Sequence, residues 1–222
     1  MTARGSSKDE ILARLTGSLR WPKAGTTARP DAAGVREADR DALVESFAAK
    51  ATAAGAEVRR VTELAAVGRE IAAVIGGGGC RSAVISGEEI VRGAGTADVL
   101  AEAGIRVAPP QGDAAAHREA CFSSDVGITG AFAGIAETGS IALVFDKDNP
   151  RLVSHAPFNH VALLSARDVV PDGEALFARL SERRVPPSAM AIVTGPSMTA
   201  DIALTPIRGI HGPGRLVIIL ID

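Results

Sequence analysis

The sequence predicts an α/β domain built on a largely parallel sheet, and three observations carry that prediction. From about residue 56 short apolar segments alternate with helix-length amphipathic ones, the pattern of strands joined by helices. Four later segments, "SIALVF", "HVALLSA", "MAIVTG" and "RLVIILI", are continuously apolar, as expected of strands covered on both faces. The composition, 46% hydrophobic with abundant Ala and Gly, supports a packed core and excludes a disordered chain.

The elements follow in order. "KDEILARLTGSL" places Ile11, Leu12, Leu15 and Leu19 on one helical face, with Pro22 as its stop. "TTARPDAAG" is a loop carrying Arg29. A second helix is expected from about Glu37 to Ala54, with Leu43, Val44, Phe47 and Ala51 as its stripe and Gly55 as its terminator. These two helices form an expected N-terminal arm, residues 1–55, ahead of an α/β domain, residues 56–222. "AEVRRV" then reads as a strand, "TELAAVGREIAAVI" as a helix, "SAVISG" as a strand, "DVLAEAGI" as a helix and "RVAPP" as a short strand. "DGEALFARLSERR" is a helix between the second and third of the four apolar runs. "GGGG" at 76–79 lacks the Lys and Ser/Thr of a phosphate loop and follows a helix, so it is expected to be a plain connection.

Function classes are narrowed by charge and cysteine content. The 24 basic and 26 acidic residues are scattered, leaving no basic stripe, and only 3% of residues are aromatic, so a nucleic-acid partner is not expected. The longest apolar run, "LVIILI", is too short to span a bilayer, and "MTARGSSKDE" lacks the apolar core of a signal peptide. Cys80 and Cys121 cannot by themselves build a four-cysteine cluster or a thiolate zinc site. The four histidines show no helical i, i+4 pair, so no metal is expected. A cytoplasmic protein is the expectation.

Several segments could carry chemistry. In "GITGAFAGIAETGSIALVF", Glu137 is the lone charge in an apolar stretch punctuated by Gly127, Gly130, Gly134 and Gly139. An unpaired buried carboxylate is costly, so Glu137 either faces water, accepts bonds from its own turn, or serves a ligand or catalysis. Thr138, Gly139 and Ser140 beside it supply hydroxyls and close backbone approach. "TGPSMTADI" follows a strand and is expected to open a helix, whose unpaired N–H groups would seat an anion with Thr194, Gly195, Ser197 and Thr199. Asp201 there either complements the helix start or joins the site. In the turn "GIHGPG", His211, next to Gly212, is a candidate general acid or base, or a turn residue bonded to backbone. "NPRLVSHAPFNHVAL" offers Arg151 as a fork for carboxylate or phosphate, or as a solvated surface group, together with Ser154. His160, opening a buried strand, is expected to be a hydrogen-bonded core histidine.

Taken together, "GITGAFAGIAETGSIAL", "PRLVSHAPFNHVAL", "TGPSMTADI" and "GIHGPGRLVIILID" resemble the LUD domain of the lactate-utilisation protein C family, over about residues 125–222. The resemblance implies an open α/β sheet with helices on both faces, similar to the sugar-phosphate isomerase and CoA-transferase (NagB/RpiA/CoA transferase-like) group. It also implies an accessory role in oxidising L-lactate to pyruvate, alongside iron–sulfur oxidoreductase subunits that carry the clusters, with no cofactor in this chain. In the CoA-transferase relatives a glutamate in a Glu-Asn-Gly turn is the nucleophile. "AETGS" is loosely similar, with Thr138 where that pattern has Asn. Glu137 and His211 are therefore the expected catalytic pair, sharing a pocket with the 194–201 turn and binding a small carboxylate or phosphate. The alternative is a free-standing enzyme acting on a sugar phosphate, folate or acyl-CoA.

Overall fold

Six parallel strands make the spine of the domain. A computed structural model describes residues 37–108, 113–200 and 206–222; the helix expected at 8–19, the loop with Arg29 and Asp201 lie outside these. In chain order the first elements are α1 (Glu37–Ala53), β1 (Glu57–Val61), α2 (Leu64–Gly76) and β2 (Ser82–Ile85). They are followed by α3 (Glu89–Gly93), α4 (Thr96–Glu102), β3 (Arg106–Ala108), α5 (Ala114–Ser123) and β4 (Val126–Gly130). The chain continues through β5 (Ala133–Ile135), β6 (Ser140–Phe145), α6 (Arg151–His155) and β7 (Asn159–Ser165). It ends with β8 (Val169–Val170), α7 (Gly173–Ser181), β9 (Ala189–Val193), β10 (Met198–Ala200), β11 (Pro206–Arg208) and β12 (Arg215–Ile221).

The main sheet has the order β1-β12-β7-β4-β2-β3, every pairing parallel. Alternate residues of its strands enter two separate cores. Val126, Ile128, Val161, Leu163, Val217 and Ile219 pack with Val67, Ile71 and Ile75 of α2 and Leu100 of α4. Ala162, Leu164, Leu216, Ile218 and Leu220 face the other way, onto Val44, Phe47 and Ala51 of α1 and onto Ile141, Leu143 and Phe145 of β6. The stripe of α1 at 44, 47 and 51 is thus answered by the sheet, and Gly55, at φ +91, ends the helix as its sequence suggests. On that same side Val84 packs with Cys121 of α5 and Val153 of α6. Helices cover both faces. The "GGGG" segment is the connection from α2 to β2.

Two of the four apolar runs are not in the parallel sheet. β6 and β9 belong to a second, four-stranded sheet, β8-β5-β6-β9, in which β5–β6 and β6–β9 are antiparallel. The run "SIALVF" is nevertheless buried on both faces. Ile141 and Leu143 meet the main sheet, while Ala142 packs with Leu176 of α7 on the far side. Continuous hydrophobicity reports two-sided burial, and here the second cover is a helix over an antiparallel layer. β9 departs from the expected two-sided burial: it is an edge strand with none of its residues buried and Ile192 exposed. The strand β4 within "GITG" and the short β5 that follows were not expected from the glycine-punctuated sequence; both are fully buried.

Candidate functional site

Five of the polar residues singled out in the second half of the sequence, Ser154, His160, Thr194, Ser197 and His211, meet at one cavity, beside the N-terminal ends of β7 and β12. Parallel register sets Leu216 of β12 and Gly127 of β4 on either side of His160 of β7. This places an imidazole in a row otherwise occupied by an aliphatic side chain and a glycine. His160 is 2% exposed and bonds through Nε2 to the Thr129 hydroxyl at 2.9 Å. Burial pushes its pKa down to about 3, and the neighbouring His155 adds to the effect, so the ring is neutral at physiological pH.

The cavity, of about 360 Å³, is walled by Leu143, Ile192, Val193 and Leu216, with Ser154, His155, His160, Thr194, Ser197 and His211 as its polar lining. Gly195, Pro196, Met198, Gly212 and Pro213 complete it. His155 closes α6. Its Nδ1 lies 2.8 Å from the Ser154 hydroxyl, which in turn donates to the Arg151 carbonyl, and its ring stands edge-on to Phe145 at 5.5 Å. Burial lowers the His155 pKa, and the Arg151 charge lowers it further. With Nδ1 committed to this local bonding, Nε2 is the nitrogen left for a ligand. Among the described residues lining the cavity there is no Asp, Glu, Lys or Arg.

Of the expected site residues, Thr194, Gly195, Ser197, His211 and Gly212 line this cavity, whereas Glu137, Thr138, Gly139, Ser140, Arg151 and Thr199 do not. Glu137 is exposed at the β5–β6 turn, so the lone acid in the apolar run faces water and escapes the cost of burial. Its backbone is held from both sides, the N–H by the Pro171 carbonyl and the carbonyl by Lys50 Nζ at 2.8 Å. The turn does reach the cavity through hydroxyls. Thr138 Oγ1 is 2.6 Å from Ser140 Oγ, and Ser140 Oγ is 2.7 Å from Thr194 Oγ1. Arg151 is exposed at the start of α6.

The expected helix after "TGPS" is a correction. Met198–Ala200 is a strand paired antiparallel with Pro206–Arg208, so no helix starts at residues 195–200 to turn its N-terminus on an anion. The Ser197 N–H is taken by the Pro213 carbonyl at 2.8 Å, and Pro196 has none to offer. An anion seat of the expected kind is therefore not built there. The glycines of the two turns serve packing against the end of α1. At Gly139 (φ +69) a Cβ would lie 2.2 Å from Ala51 N, and at Gly195 (φ +70) it would lie 2.1 Å from Ala54 O.

Sequence reasoning missed His155 as a lining residue. The signal was present: two of the four histidines and a serine fall within seven residues immediately before a buried strand. It also missed Glu88, just beyond β2. That carboxylate accepts from Ser86 Oγ at 2.9 Å and from the Gly130 N–H at 2.6 Å, at the C-terminal ends of β2 and β4. Burial raises its pKa to about 7; these hydrogen bonds oppose the rise, and Asp146 adds to it.

A wider cavity, about 630 Å³, opens at the C-terminal edge of β1, β12 and β7 among Arg40, Asp41, Arg60, Arg167 and Asp222. Two of its arginines are already engaged. Arg60 pairs with Glu45 and Asp222, and Arg40 donates to the carbonyls of Arg167 and Val169. The histidine cavity is the better candidate, because its polar groups converge on open space. Among the described residues no group of three or more His, Cys, Asp or Glu could hold a metal ion. No helix among them is long and apolar enough to cross a membrane.

The family model described as LUD domain matches residues 44–221. Lactate utilization protein C of Oceanobacillus iheyensis is 34% identical over 103 residues, which are 45% of this chain and 44% of that protein. The protein of the same name from Bacillus subtilis is 31% identical over 103 residues, 45% of this chain and 43% of that one. An uncharacterized protein of Neisseria meningitidis is 37% identical over 103 residues, 44% of this chain and 42% of that protein. The chain thus spans less than half the length of these curated relatives. The crystal structure of a DUF162 family protein from Deinococcus radiodurans covers 82% of this chain and 98% of its own, with TM-score 0.57 and 23% identity, a likeness of fold.

Proposed function

The chain belongs to the LUD domain family, and from that membership and the make-up of the histidine cavity we propose that it serves in lactate utilisation. In this reading it is an accessory subunit that works beside iron–sulfur oxidoreductase partners in the cytoplasm and binds a small molecule in the cavity. The observation that carries the reading is the origin of the cavity's polar lining. Ser154, His155 and His160 come from "PRLVSHAPFNHVAL", Thr194 and Ser197 from "TGPSMTADI", and His211 from "GIHGPG". Three separate segments of the sequence, one of them some thirty residues before the other two, converge on one space, and each is part of the family pattern. The relatives named lactate utilization protein C supply the pathway.

In this reading the labour is divided between chains, and the cysteine count is compatible with it. A four-cysteine cluster needs four thiolates, and this chain has Cys80 and Cys121 only, both free. In this reading electron carriage by clusters falls to partner subunits. The part left to this chain is binding and positioning, for which imidazoles and hydroxyls are suited as hydrogen-bond partners.

Deleting the gene from its native host tests the reading, with growth on L-lactate as sole carbon source as the readout. Growth on lactate should be lost while growth on glucose is kept, and the tagged chain should co-purify with proteins that carry iron and acid-labile sulfide. Normal growth on lactate without the gene refutes the proposal. So does turnover of a sugar phosphate, folate or acyl-CoA by the purified chain alone.

A further inference from the structure

The histidine cavity does not end at His155 and His211. A second cavity of about 360 Å³ shares His155, His211 and Gly212 with it, and is walled by Phe122, Leu152, Phe158 and Ile210. The two cavities adjoin along these shared residues, and the pair presents unlike ends. One end carries hydroxyls and imidazoles. The other is apolar, with Phe122 and Phe158 each 57% exposed and Ile210 53% exposed. Phe158 is held in place by the backbone beneath it, its ring lying where a side chain on Gly209 or Gly214 would be. Large apolar side chains left in solvent along the wall of a cavity are characteristic of ligand grooves.

No Asp, Glu, Lys or Arg lines either space among the described residues. Arg118 stacks over the Phe122 ring at 5.2 Å but is not part of the lining. His160 is held neutral by burial, and the His155 pKa is lowered by burial and by the Arg151 charge. A carboxylate or phosphate moved into these adjoining cavities would give up its hydration without meeting a lining Lys or Arg. A hydroxyl or carbonyl head loses only hydrogen bonds that Ser197, Thr194 and the imidazoles can replace. The two-ended shape also asks for more than a three-carbon acid, which would leave the Phe122–Phe158 end empty.

We propose that the adjoining cavities bind an uncharged amphipathic molecule, with a hydroxyl or carbonyl head among Ser197, Thr194 and the histidines and a flat or chain-like apolar body along Phe122, Phe158 and Ile210. The proposal rests on the reading of the cavity as the working site, and it names the ligand class that the cavity takes.

Three probes separate head from body and charge from shape: 2-naphthol, 2-naphthoate and L-lactate, each titrated calorimetrically into the full chain at pH 7.5. 2-Naphthol should bind saturably, at least about tenfold more tightly than 2-naphthoate, which carries the same rings with a charge, and more tightly than L-lactate. Ile210→Asp and Phe122→Ser alter exposed side chains of the apolar end, so the fold should persist, as checked by circular dichroism. Each should weaken 2-naphthol about tenfold or more. Equal or tighter binding of 2-naphthoate or L-lactate overturns the proposal. So does absence of saturable 2-naphthol binding, or binding that both folded variants leave unchanged. The gene-deletion test on lactate involves none of these probes. Loss of growth with no 2-naphthol binding sinks the ligand class alone, and normal growth with the expected binding sinks the pathway alone.

Discussion

Replacing Glu88 by Gln should stabilise the domain at high pH and leave it nearly unchanged in acid. Glu88 lies between the loop after β2 and the end of β4, largely buried, with Ser86 Oγ and the Gly130 N–H on one carboxylate oxygen and no basic side chain paired with it. Burial is the main cause of its raised pKa, from 4.5 to about 7, and the charge of Asp146 contributes. Below pH 4.5 both the folded and the unfolded chain carry the proton, and Glu88 is neutral to stability. Between pH 4.5 and 7 the unfolded chain ionises while the folded one holds its proton, so stability falls as pH rises and levels off above pH 7. At about 1.4 kcal/mol per pK unit the full loss is about 3 kcal/mol, an upper figure.

Glutamine keeps the shape and an oxygen for Ser86 and Gly130. The Asn149 side chain donates to the Glu88 carboxylate; with Gln in place the Asn149 amide must turn to offer the new N–H₂ its Oδ1, which is buried without a hydrogen-bond partner. The expected result is a melting temperature raised by about 6–12 °C at pH 8, given about 2–4 °C per kcal/mol for a domain of this size, and a gain shrinking to near zero at pH 4. Chemical and thermal unfolding of both proteins between pH 4 and 8.5 gives the comparison. A difference that does not vary with pH, or a variant less stable than wild type at pH 8, would refute the assignment of Glu88 as a buried acid that resists ionisation.

Other outcomes follow from the same structure. His160, with its pKa depressed from 6.5 to about 3, favours the folded state above pH 6.5, and that contribution is lost as pH falls towards 3; its imidazole resonances should show no titration between pH 8 and 5, and a midpoint near 6.5 would show the ring to be solvated. Gly139→Ala and Gly195→Ala should each cost at least about 2 kcal/mol, since both combine a left-handed backbone with a clash against α1, and urea unfolding reads the loss; a cost below 0.5 kcal/mol would mean that the turns do not press on the helix. Glu137→Gln should change stability by less than about 0.5 kcal/mol, because the carboxylate is exposed. The same variant tests catalysis separately: normal growth on lactate with this allele removes Glu137 from the list of acting groups, and loss of growth with intact folding would bring it back.

Much of the fold was legible because its period was. The stripe at Val44, Phe47 and Ala51, the strand–helix alternation from residue 57 and the buried run of β12 each carry a one-dimensional signal that packing then obeys. What was not legible is which layer a buried strand joins. "SIALVF" is as apolar as "RLVIILI", yet its covers are the main sheet and α7 rather than two helical layers. The pairing of Met198–Ala200 with Pro206–Arg208 was missed for a related reason. The sequence after Gly-Pro reads equally as a helix start, and the pairing partner lies beyond it in the chain.

The site was half legible on the same grounds. Residues whose chemistry belongs to a turn, Thr194, Ser197 and His211, were found because Gly and Pro mark turns whatever the fold. His160 was read as a core histidine, and so it is, bonded to Thr129 within the strand layer. The sequence could not show that one edge of its ring borders the cavity. That depends on Gly127 and Leu216 being its neighbours in register, a fact of strand order rather than of local pattern. Glu137 drew attention as a charge in an apolar run. In the turn only Glu137 and Thr138 face water, while Ala136 and Gly139 are buried, so the exposed acid reflects its place in the turn and not the apolar run around it. The acid that is largely buried, Glu88, stands in "SGEEI", where a second glutamate beside it makes burial look improbable. Glu89 faces solvent one residue on, and only the closing of Gly130 over Glu88 separates the two carboxylates into a surface charge and a buried proton store.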